Sequence, residues 1–373
     1  MSNYQTETKL TQIGNGFDQL GAVNIPIYLS TAYKHQGIGI SKGYDYIRTG
    51  NPTRSVLEKA IAEIEGGQEG FACSSGMSAI QLVFSLFSSG DHIIASRDLY
   101  GGTYRLFEIL AKQVHLSFTY WDGESVEELA ADIRPETKAL FIETPTNPLM
   151  HEVDISELSY ITKKNHLLLI VDNTFYTPVL QKPIAEGADL VVYSATKYLA
   201  GHNDVLAGLV VSNSEKVTER LRVYHNSCGA VLDPFDSWLL IRGLKTLALR
   251  MRQHQENAGR LAAWLGKQLF VTKVLYPGKG GMVSFELTKK AYIEPFLKAL
   301  HLITFAESLG GVESLITYPA TQTHADIPEA LRLKYGLSDR LLRLSAGIEH
   351  PDDLIADLDQ AFRSLQKGAA VHG

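Results

Sequence analysis

The sequence predicts an α/β protein, in which helices cover both faces of a mostly parallel sheet, followed by a smaller α+β domain at the C-terminal end. Short apolar runs recur along the first two thirds of the chain, and helix-compatible segments separate most of them. This alternation is typical of a parallel sheet that is buried on both faces. Beyond residue 266, strand-like runs and helical segments are mixed in a different order, which indicates a second unit of α+β type.

The strand-like runs of the first unit are short and rich in apolar residues. They lie at 70–74, 92–96, 116–120, 138–143, 167–172, 190–194 and 206–212. Before them, apolar residues recur at helical spacing between residues 54 and 65, which predicts a helix there. A turn at Gly76 opens a further helical stretch that we expect to end at Phe87.

The remaining segments suggest three parts of the chain. Residues 1–52 show little periodicity and contain several glycines and prolines, so we expect an extended arm. Residues 53–233 form the predicted large domain. Residues 234–373 form the C-terminal part: a long helical stretch over 234–266, strands at 273–276, 282–287 and 341–345, and helices at 291–300 and 352–366.

Composition excludes several classes of function. The chain has 373 residues, of which 45% are hydrophobic, and its net charge is −6 with both signs spread along the sequence. No basic cluster indicates nucleic-acid binding, and no apolar run reaches the ~18 residues of a membrane span. The N-terminal residues lack the apolar core of a signal peptide. Two cysteines form neither a disulfide framework nor a four-cysteine metal site, so we expect a cytoplasmic protein without a metal.

Two of the predicted strands end in complementary charges. One runs into Ser194, Thr196 and Lys197, and the one before it ends at Asp172. Alone, a lysine after a strand is usually a solvated loop residue, and an aspartate before a turn often caps the next helix. Together, at the carboxyl ends of parallel strands where α/β sheets bind ligands, they suit pyridoxal 5′-phosphate (PLP). The amine would form the Schiff base, and the carboxylate would face the pyridine nitrogen.

A phosphate site is expected at the strand-to-helix turn of Ser75-Gly76-Met77. Free backbone N–H groups and the positive end of a helix suit a phosphate dianion there. Alone this signal is weak, because many helices begin with Ser-Gly. The chain contains no GxxxxGK[ST] motif, so an NTPase P-loop is excluded.

Several motifs together resemble one enzyme family. Residues 189–203, with Ser194-Ala195-Thr196-Lys197, are similar to the lysine signature of the PLP-dependent enzymes of Cys/Met metabolism. The resemblance extends from 46–53 (YIRTGNPT) to 343–349 (RLSAGIE), and it is strongest for the bacterial cystathionine γ-synthase/O-acetylhomoserine thiolyase subgroup. It implies the fold type I architecture of aspartate aminotransferase: an arm, a large PLP domain and a small C-terminal domain.

The resemblance also assigns residues to the cofactor. It implies that the amides of Gly76 and Met77 bind the phosphate together with hydroxyls at Ser194 and Thr196, and that Tyr100 stacks on the pyridine ring and assists proton transfer. Asn147 would approach the ring hydroxyl, with Thr174 beside Asp172 in the same site. Tyr46 and Arg48 would reach the phosphate of a neighbouring subunit, so that the active unit is a homo-oligomer, expected to be a tetramer built from dimers. The alternative is a Tyr/Arg pair on a solvated arm. The expected cofactor-binding residues are therefore Tyr46, Arg48, Gly76, Met77, Tyr100, Asn147, Asp172, Thr174, Ser194, Thr196 and Lys197.

The substrate side follows from the same resemblance. Arg343, within an apolar run, matches the arginine that binds the substrate carboxylate, although a structural ion pair is the alternative. Ser308 matches a residue that supports both the lysine and the substrate. Glu307 matches a position that is glutamate in γ-acting members. Asp45, with Tyr46, is a weaker candidate for binding the amino group of a second substrate.

The implied activity is γ-replacement on an O-acylhomoserine, with cysteine as the acceptor and sulfide as a possible second acceptor, in methionine biosynthesis and transsulfuration. Lys197 would move protons on the substrate. A cystathionine γ- or β-lyase that uses the same site is the alternative, because the cofactor motifs do not separate the two. A PLP-fold protein kept for assembly or regulation is a third reading, which the presence of both Lys197 and Asp172 disfavours.

Overall fold

The computed structural model describes residues 4–371, with side chains as far as residue 366. The first three residues of the predicted arm and the last two of the chain lie outside this range. Two sheets organise the described residues, one of seven strands and one of five. Among these residues, no helix is long and apolar enough to cross a membrane.

The larger sheet is formed by the predicted strands of the first unit. Its strands are β1 (Glu69–Cys73), β2 (His92–Ser96), β3 (Ser117–Trp121), β4 (Thr137–Glu143), β5 (Leu168–Asp172), β6 (Leu190–Ser194) and β7 (Gly208–Ser212). Their spatial order is β1-β7-β6-β5-β4-β2-β3. The pairs from β6 to β3 are parallel, whereas β7 is antiparallel to both β6 and β1. A parallel β6–β7 pair would require a crossover, usually helical, and no helix separates these two strands.

Helices cover both faces of this sheet. The helices of this part of the chain are α1 (Thr6–Thr11), α2 (Pro52–Glu65), α3 (Gly76–Phe84), α4 (Gly101–Gln113), α5 (Val126–Ala131), α6 (Ile155–Lys164), α7 (Thr177–Leu180) and α8 (Glu215–Cys228). Alternate residues of one strand enter different cores: Leu140 and Ile142 of β4 pack in one apolar cluster, and Ala139 and Phe141 in the other. The predicted sheet, mostly parallel and buried on both faces, is confirmed.

The smaller sheet lies in the C-terminal part. Its strands are β8 (Val271–Leu275), β9 (Met282–Leu287), β10 (Thr304–Phe305), β11 (Leu315–Thr317) and β12 (Leu341–Ser345), in the order β10-β11-β12-β9-β8. The helices of this part are α9 (Pro234–Leu244), α10 (Leu247–Leu265), α11 (Ile293–Ala299), α12 (Glu329–Lys334) and α13 (Pro351–Val371). A third apolar cluster lies between this sheet and helices α10, α11 and α13. The boundaries of the three parts at residues 52 and 233 stay a prediction.

The structure differs from the sequence-based expectation in its helices and in the arm. Helix α3 ends at Phe84 and not at Phe87, because the N–H groups of Leu86 and Phe87 bond to carbonyls three residues back, as in a turn and not in an α-helix. The stretch 234–266 is divided into α9 and α10, because the carbonyl of Gly243 accepts hydrogen bonds from the side chains of Thr246 (3.1 Å) and Arg250 (2.8 Å). The arm is not extended throughout, since α1 forms near its start. Leu10 in this helix and Ile13 just after it are buried in the core.

Candidate active site

A cavity of about 310 Å³ opens where the parallel strands end and the second sheet approaches. Strands β4, β5 and β6 contribute their last residues, α3 contributes its N-terminus, and β12 contributes Arg343 from the other sheet. Twelve of the sequence-predicted site residues line it or adjoin it: Gly76, Met77, Tyr100, Asn147, Asp172, Thr174, Ser194, Thr196, Lys197, Glu307, Ser308 and Arg343.

The amine of Lys197 lies inside this cavity. Its Nζ donates a hydrogen bond to the hydroxyl of Ser308 at 3.1 Å. Burial is the main cause that lowers the pKa of Lys197 to about 8, and the positive charge of Arg343 adds to it, while Glu307 acts in the opposite direction. At this pKa about one amine in ten is neutral at pH 7, and the neutral form is the one that acts as a nucleophile or base.

Asp172, at the end of β5, is held in place by Thr174. The backbone N–H and the hydroxyl of Thr174 donate to the same carboxylate oxygen, Oδ1, at 3.0 and 2.6 Å. The Thr174 hydroxyl in turn accepts the backbone N–H of Ser194 at 2.8 Å, which ties the end of β5 to the end of β6. Burial raises the pKa of Asp172, against the two hydrogen bonds from Thr174. A cationic N–H facing the carboxylate would lower that pKa again.

The N-terminus of α3 packs tightly against the end of β6. Ser75 caps the helix by accepting the N–H of Ser78, and the first two helical residues, Gly76 and Met77, have N–H groups that find no acceptor within the helix. A Cβ on Gly76 would lie 2.8 Å from the Cβ of Ser194, so only glycine fits there. The Ser194 hydroxyl and these N–H groups therefore surround one position that suits an anion. Thr196, by contrast, exchanges hydrogen bonds with the backbone of Ala207.

Arg343 is buried at the inner wall of the cavity, with 1% of its surface exposed. Its guanidinium donates to the side-chain oxygen of Asn147 (2.8 Å), the carbonyl of Ser308 (3.1 Å) and the hydroxyl of Thr317 (3.2 Å). Nε has no partner, and within the described residues Arg343 forms no ion pair. The structural ion pair considered as an alternative is therefore absent from this part of the chain, and the positive charge faces the cavity.

Asn147 is fixed from two sides. Its side-chain oxygen accepts from Arg343, and its backbone carbonyl accepts from Nε2 of His324 at 2.8 Å. Burial lowers the pKa of His324 to about 4, so its ring is neutral, and its Nδ1 accepts from the hydroxyl of Thr323 at 2.9 Å. This chain of contacts joins the loop after β4 to the segment before α12.

Tyr100, which caps α4, presents a half-exposed ring to the cavity. Its backbone N–H donates to Oε2 of Glu143 at 3.1 Å. A Cβ on Gly102 would lie 2.5 Å from the Tyr100 ring, so the glycine leaves room for the ring position. Glu307 is exposed at the cavity mouth.

Three predicted residues lie away from this cavity within the same chain. Arg48 donates to the side chain of Asn226 at 3.1 Å and stacks over Tyr46 at 5.7 Å. Asp45 is exposed and lies 3.0 Å from His35. Asp45, Tyr46 and Arg48 are therefore not brought to the site by their own chain.

Glu143 is a cavity residue that sequence reasoning did not assign. It ends β4 as Asp172 ends β5, and the two residues are partners in the strand register. The signal that identified Asp172, a carboxylate at the carboxyl end of a buried parallel strand, is present in Glu143 as well.

Residues 7–363 match the family model of the Cys/Met metabolism PLP-dependent enzymes. The chain belongs to this family. It is 61% identical over 364 residues to the cystathionine gamma-synthase/O-acetylhomoserine (thiol)-lyase of Bacillus subtilis, covering 97% of this chain and 98% of that protein. It is 55% identical over 365 residues to the cystathionine gamma-synthase of Haemophilus influenzae, covering 97% and 99%.

Solved structures agree with these relatives. The crystal structure of cystathionine gamma-lyase from Lactobacillus plantarum complexed with L-serine has a TM-score of 0.95 and 44% identity, covering 97% of this chain and 100% of that one. Cystathionine beta-lyases are also among the relatives. The fold is thus the expected fold type I, and the chain is a PLP-dependent enzyme of the cystathionine synthase/lyase type.

The residues present in the cavity fit PLP. An amine, a carboxylate with one unengaged oxygen, and a helix N-terminus with a free hydroxyl beside it lie around one cavity. These groups match the aldehyde, the ring nitrogen and the phosphate of the cofactor in chemical type. The close approach that Gly76 permits supports the phosphate end most directly.

Proposed function

We propose that this enzyme catalyses γ-replacement: the acyl group of an O-acylhomoserine leaves as a carboxylate, and the thiol of cysteine takes its place at Cγ. The carbon–oxygen bond breaks, a carbon–sulfur bond forms, and the thiol proton is released. Sulfide as the acceptor would give homocysteine. The observation that carries the proposal is one cavity lined by Lys197, Asp172 and Arg343, in which Arg343 forms no ion pair among the described residues.

Each of these residues has a proposed role. Lys197 holds the cofactor and afterwards moves protons on the substrate, for which its lowered pKa of about 8 is suited. Asp172 keeps the ring nitrogen protonated, and PLP when bound supplies an electron sink for the charge that develops on substrate carbons. Arg343 binds the substrate carboxylate with its fixed fork of donors. Ser308 accepts hydrogen bonds from both Lys197 and Arg343 and so orients the amine relative to the guanidinium.

The choice of γ-replacement over elimination is supported by two features. The two named synthase relatives share 61% and 55% identity with this chain. Glu307 places a carboxylate at the cavity mouth, where it would attract the amino group of an incoming cysteine. We further propose that Tyr46 and Arg48 complete the site of a neighbouring subunit in a cytoplasmic tetramer, with Asp45 beside the entry of the second substrate.

A cystathionine γ- or β-lyase is the second candidate, because a cystathionine beta-lyase of Lactococcus lactis and the cystathionine gamma-lyase of Bacillus subtilis are 48% and 47% identical to this chain. A product assay separates the two. O-acetyl- and O-succinylhomoserine are each paired with cysteine and sulfide, and cystathionine alone is tested for release of pyruvate or 2-oxobutyrate. Cystathionine formed from an O-acylhomoserine supports the proposal. Release of pyruvate or 2-oxobutyrate with negligible replacement would establish a lyase instead.

A further inference from the structure

Two carboxyl groups end neighbouring strands at the floor of the cavity. Glu143 of β4 and Asp172 of β5 are paired in register, and both line the same cavity. Glu143 is 7% exposed, and among the described residues it forms no ion pair with a cation. Two carboxylates cannot both keep their charge cheaply in such a place, because burial and mutual repulsion act in the same direction.

The groups around Glu143 support a protonated acid. Asp172 on β5 and Asp98 on the loop before α4 place negative charge near it, and Arg343 on β12 opposes them. Burial is the largest cause, and it raises the pKa of Glu143 well above 4.5 despite the hydrogen bond from the Tyr100 N–H. Asp172 is better supplied with donors, since both groups of Thr174 reach it. The proton of the pair therefore stays on Glu143.

Glu143 accepts a hydrogen bond from the backbone N–H of Tyr100, and this contact indicates its role. Tyr100 is the N-cap residue of α4, but its side chain forms no capping hydrogen bond. Its backbone is held instead by the carboxyl of Glu143, 43 residues later in the chain, which accepts the Tyr100 N–H. The Glu143 N–H is itself held by the hydroxyl of Ser96 at 3.1 Å. Gly102 then leaves the space that the Tyr100 ring occupies.

We propose that Glu143 is a positioning residue: as an uncharged acid it fixes the Tyr100 backbone and leaves Asp172 the single anion at the floor of the cavity. The inference rests on the proposed PLP site. Glu143 acts through Tyr100 and Asp172, and no contact of its own with the substrate is needed.

Three variants of the holoenzyme test separately the charge, the length and the volume of the Glu143 side chain. E143Q keeps a neutral acceptor of the same length, E143D keeps a carboxyl but shortens it by one methylene, and E143M keeps the bulk alone. We expect E143Q to retain the visible circular dichroism of bound PLP. E143D and E143M should weaken that signal and speed PLP release about tenfold, the effect of one lost buried hydrogen bond. An E143D that matches wild type while E143Q loses the signal would overturn the inference, as would an E143M that matches wild type.

A second measurement reports the protonation of Glu143 through thermal stability, and it requires neither bound PLP nor an activity assay. In the full chain freed of PLP, wild-type Glu143 takes up a proton on folding. The free energy of unfolding of wild type therefore falls as pH rises above 4.5, the ordinary pKa of a glutamate. The Gln side chain does not titrate, so E143Q shows no such fall from this position. The melting temperature of E143Q minus that of wild type should therefore increase with pH. A difference that stays constant with pH would contradict the uncharged acid.

Glu65 offers a matched control. It is a buried carboxyl outside the cavity, it accepts from the Tyr193 hydroxyl at 2.5 Å, and burial raises its pKa to about 7. E65Q should show the same increase of melting temperature with pH but leave the visible signal of PLP unchanged. If wild type itself binds no PLP, the proposed function fails; if wild type binds PLP and E143M behaves like it, only the role of Glu143 fails.

Discussion

Lys197 and Arg343 meet on the same residue, Ser308. The hydroxyl of Ser308 accepts from the Lys197 amine at 3.1 Å, and its carbonyl accepts from the Arg343 guanidinium at 3.1 Å. The backbone of Ser308 has φ = 137°, a region that L-residues rarely adopt. Such backbone strain is kept where the surroundings require it, and here it orients both the proposed base and the proposed carboxylate site.

Replacing Ser308 by alanine should lower kcat/KM about tenfold, because Lys197 loses its hydrogen-bond partner. PLP should remain bound, which its visible absorbance would report. Thr317→Val is the matched control: it removes one acceptor of Arg343 at 3.2 Å but leaves Lys197 untouched, so its effect should fall on KM. Wild-type kinetics in S308A would show that the serine does not orient the amine.

Asp172→Asn removes the charge and keeps the shape. We expect kcat to fall by about two to four orders of magnitude, in the range of acid–base contributions to catalysis, while PLP still binds. Thr174→Val, which removes the 2.6 Å donor to Asp172, should have a smaller effect of about tenfold. Turnover of D172N within a factor of a few of wild type would exclude the proposed contact with the ring nitrogen.

Arg343→Lys keeps the positive charge but loses the fork of donors. The KM of the O-acylhomoserine should rise about 10- to 100-fold, since charge-assisted hydrogen bonds are lost. The control is an amine substrate analogue that lacks the α-carboxylate, whose affinity should be the same in wild type and variant. An unchanged KM would mean that another cation binds the carboxylate.

The arm residues permit a test of a shared site. Neither Lys197→Ala nor Arg48→Ala should be active alone as a homo-oligomer, if Arg48 serves the neighbouring subunit. Unfolding and refolding the two variants together should restore part of the activity, because mixed dimers contain one intact site. The two variants refolded separately and then mixed are the control. No recovery in the mixture would place Arg48 outside the site of its neighbour.

The sequence was informative where chemistry and strand position coincide. Lys197 and Asp172 were identified because each follows a buried run, and the structure brings both to one cavity. Glu143 carries the same signal, but a glutamate after a strand is usually solvated, so the pattern alone does not assign it to a site. Only the strand register, which places it beside Asp172, gives it meaning.

Other features needed three-dimensional contacts. Arg343 forms no ion pair within the described part of the chain, and this depends on the three-dimensional surroundings of the residue, which no local sequence pattern contains. Strands β10 and β11 have two and three residues, too few for alternation to identify them. The break between α9 and α10 follows from a carbonyl taken by Arg250, seven residues beyond Gly243 in the chain.

The most direct measurement is reduction of the holoenzyme with borohydride, followed by mass spectrometry of its peptides. Reduction converts a Schiff base into a stable amine and so marks the lysine that holds PLP. The mark is expected on the peptide that contains Lys197, and it should be absent in Lys197→Ala. A mark on a different lysine of the wild-type enzyme would contradict the assignment of Lys197 and the catalytic roles built on it.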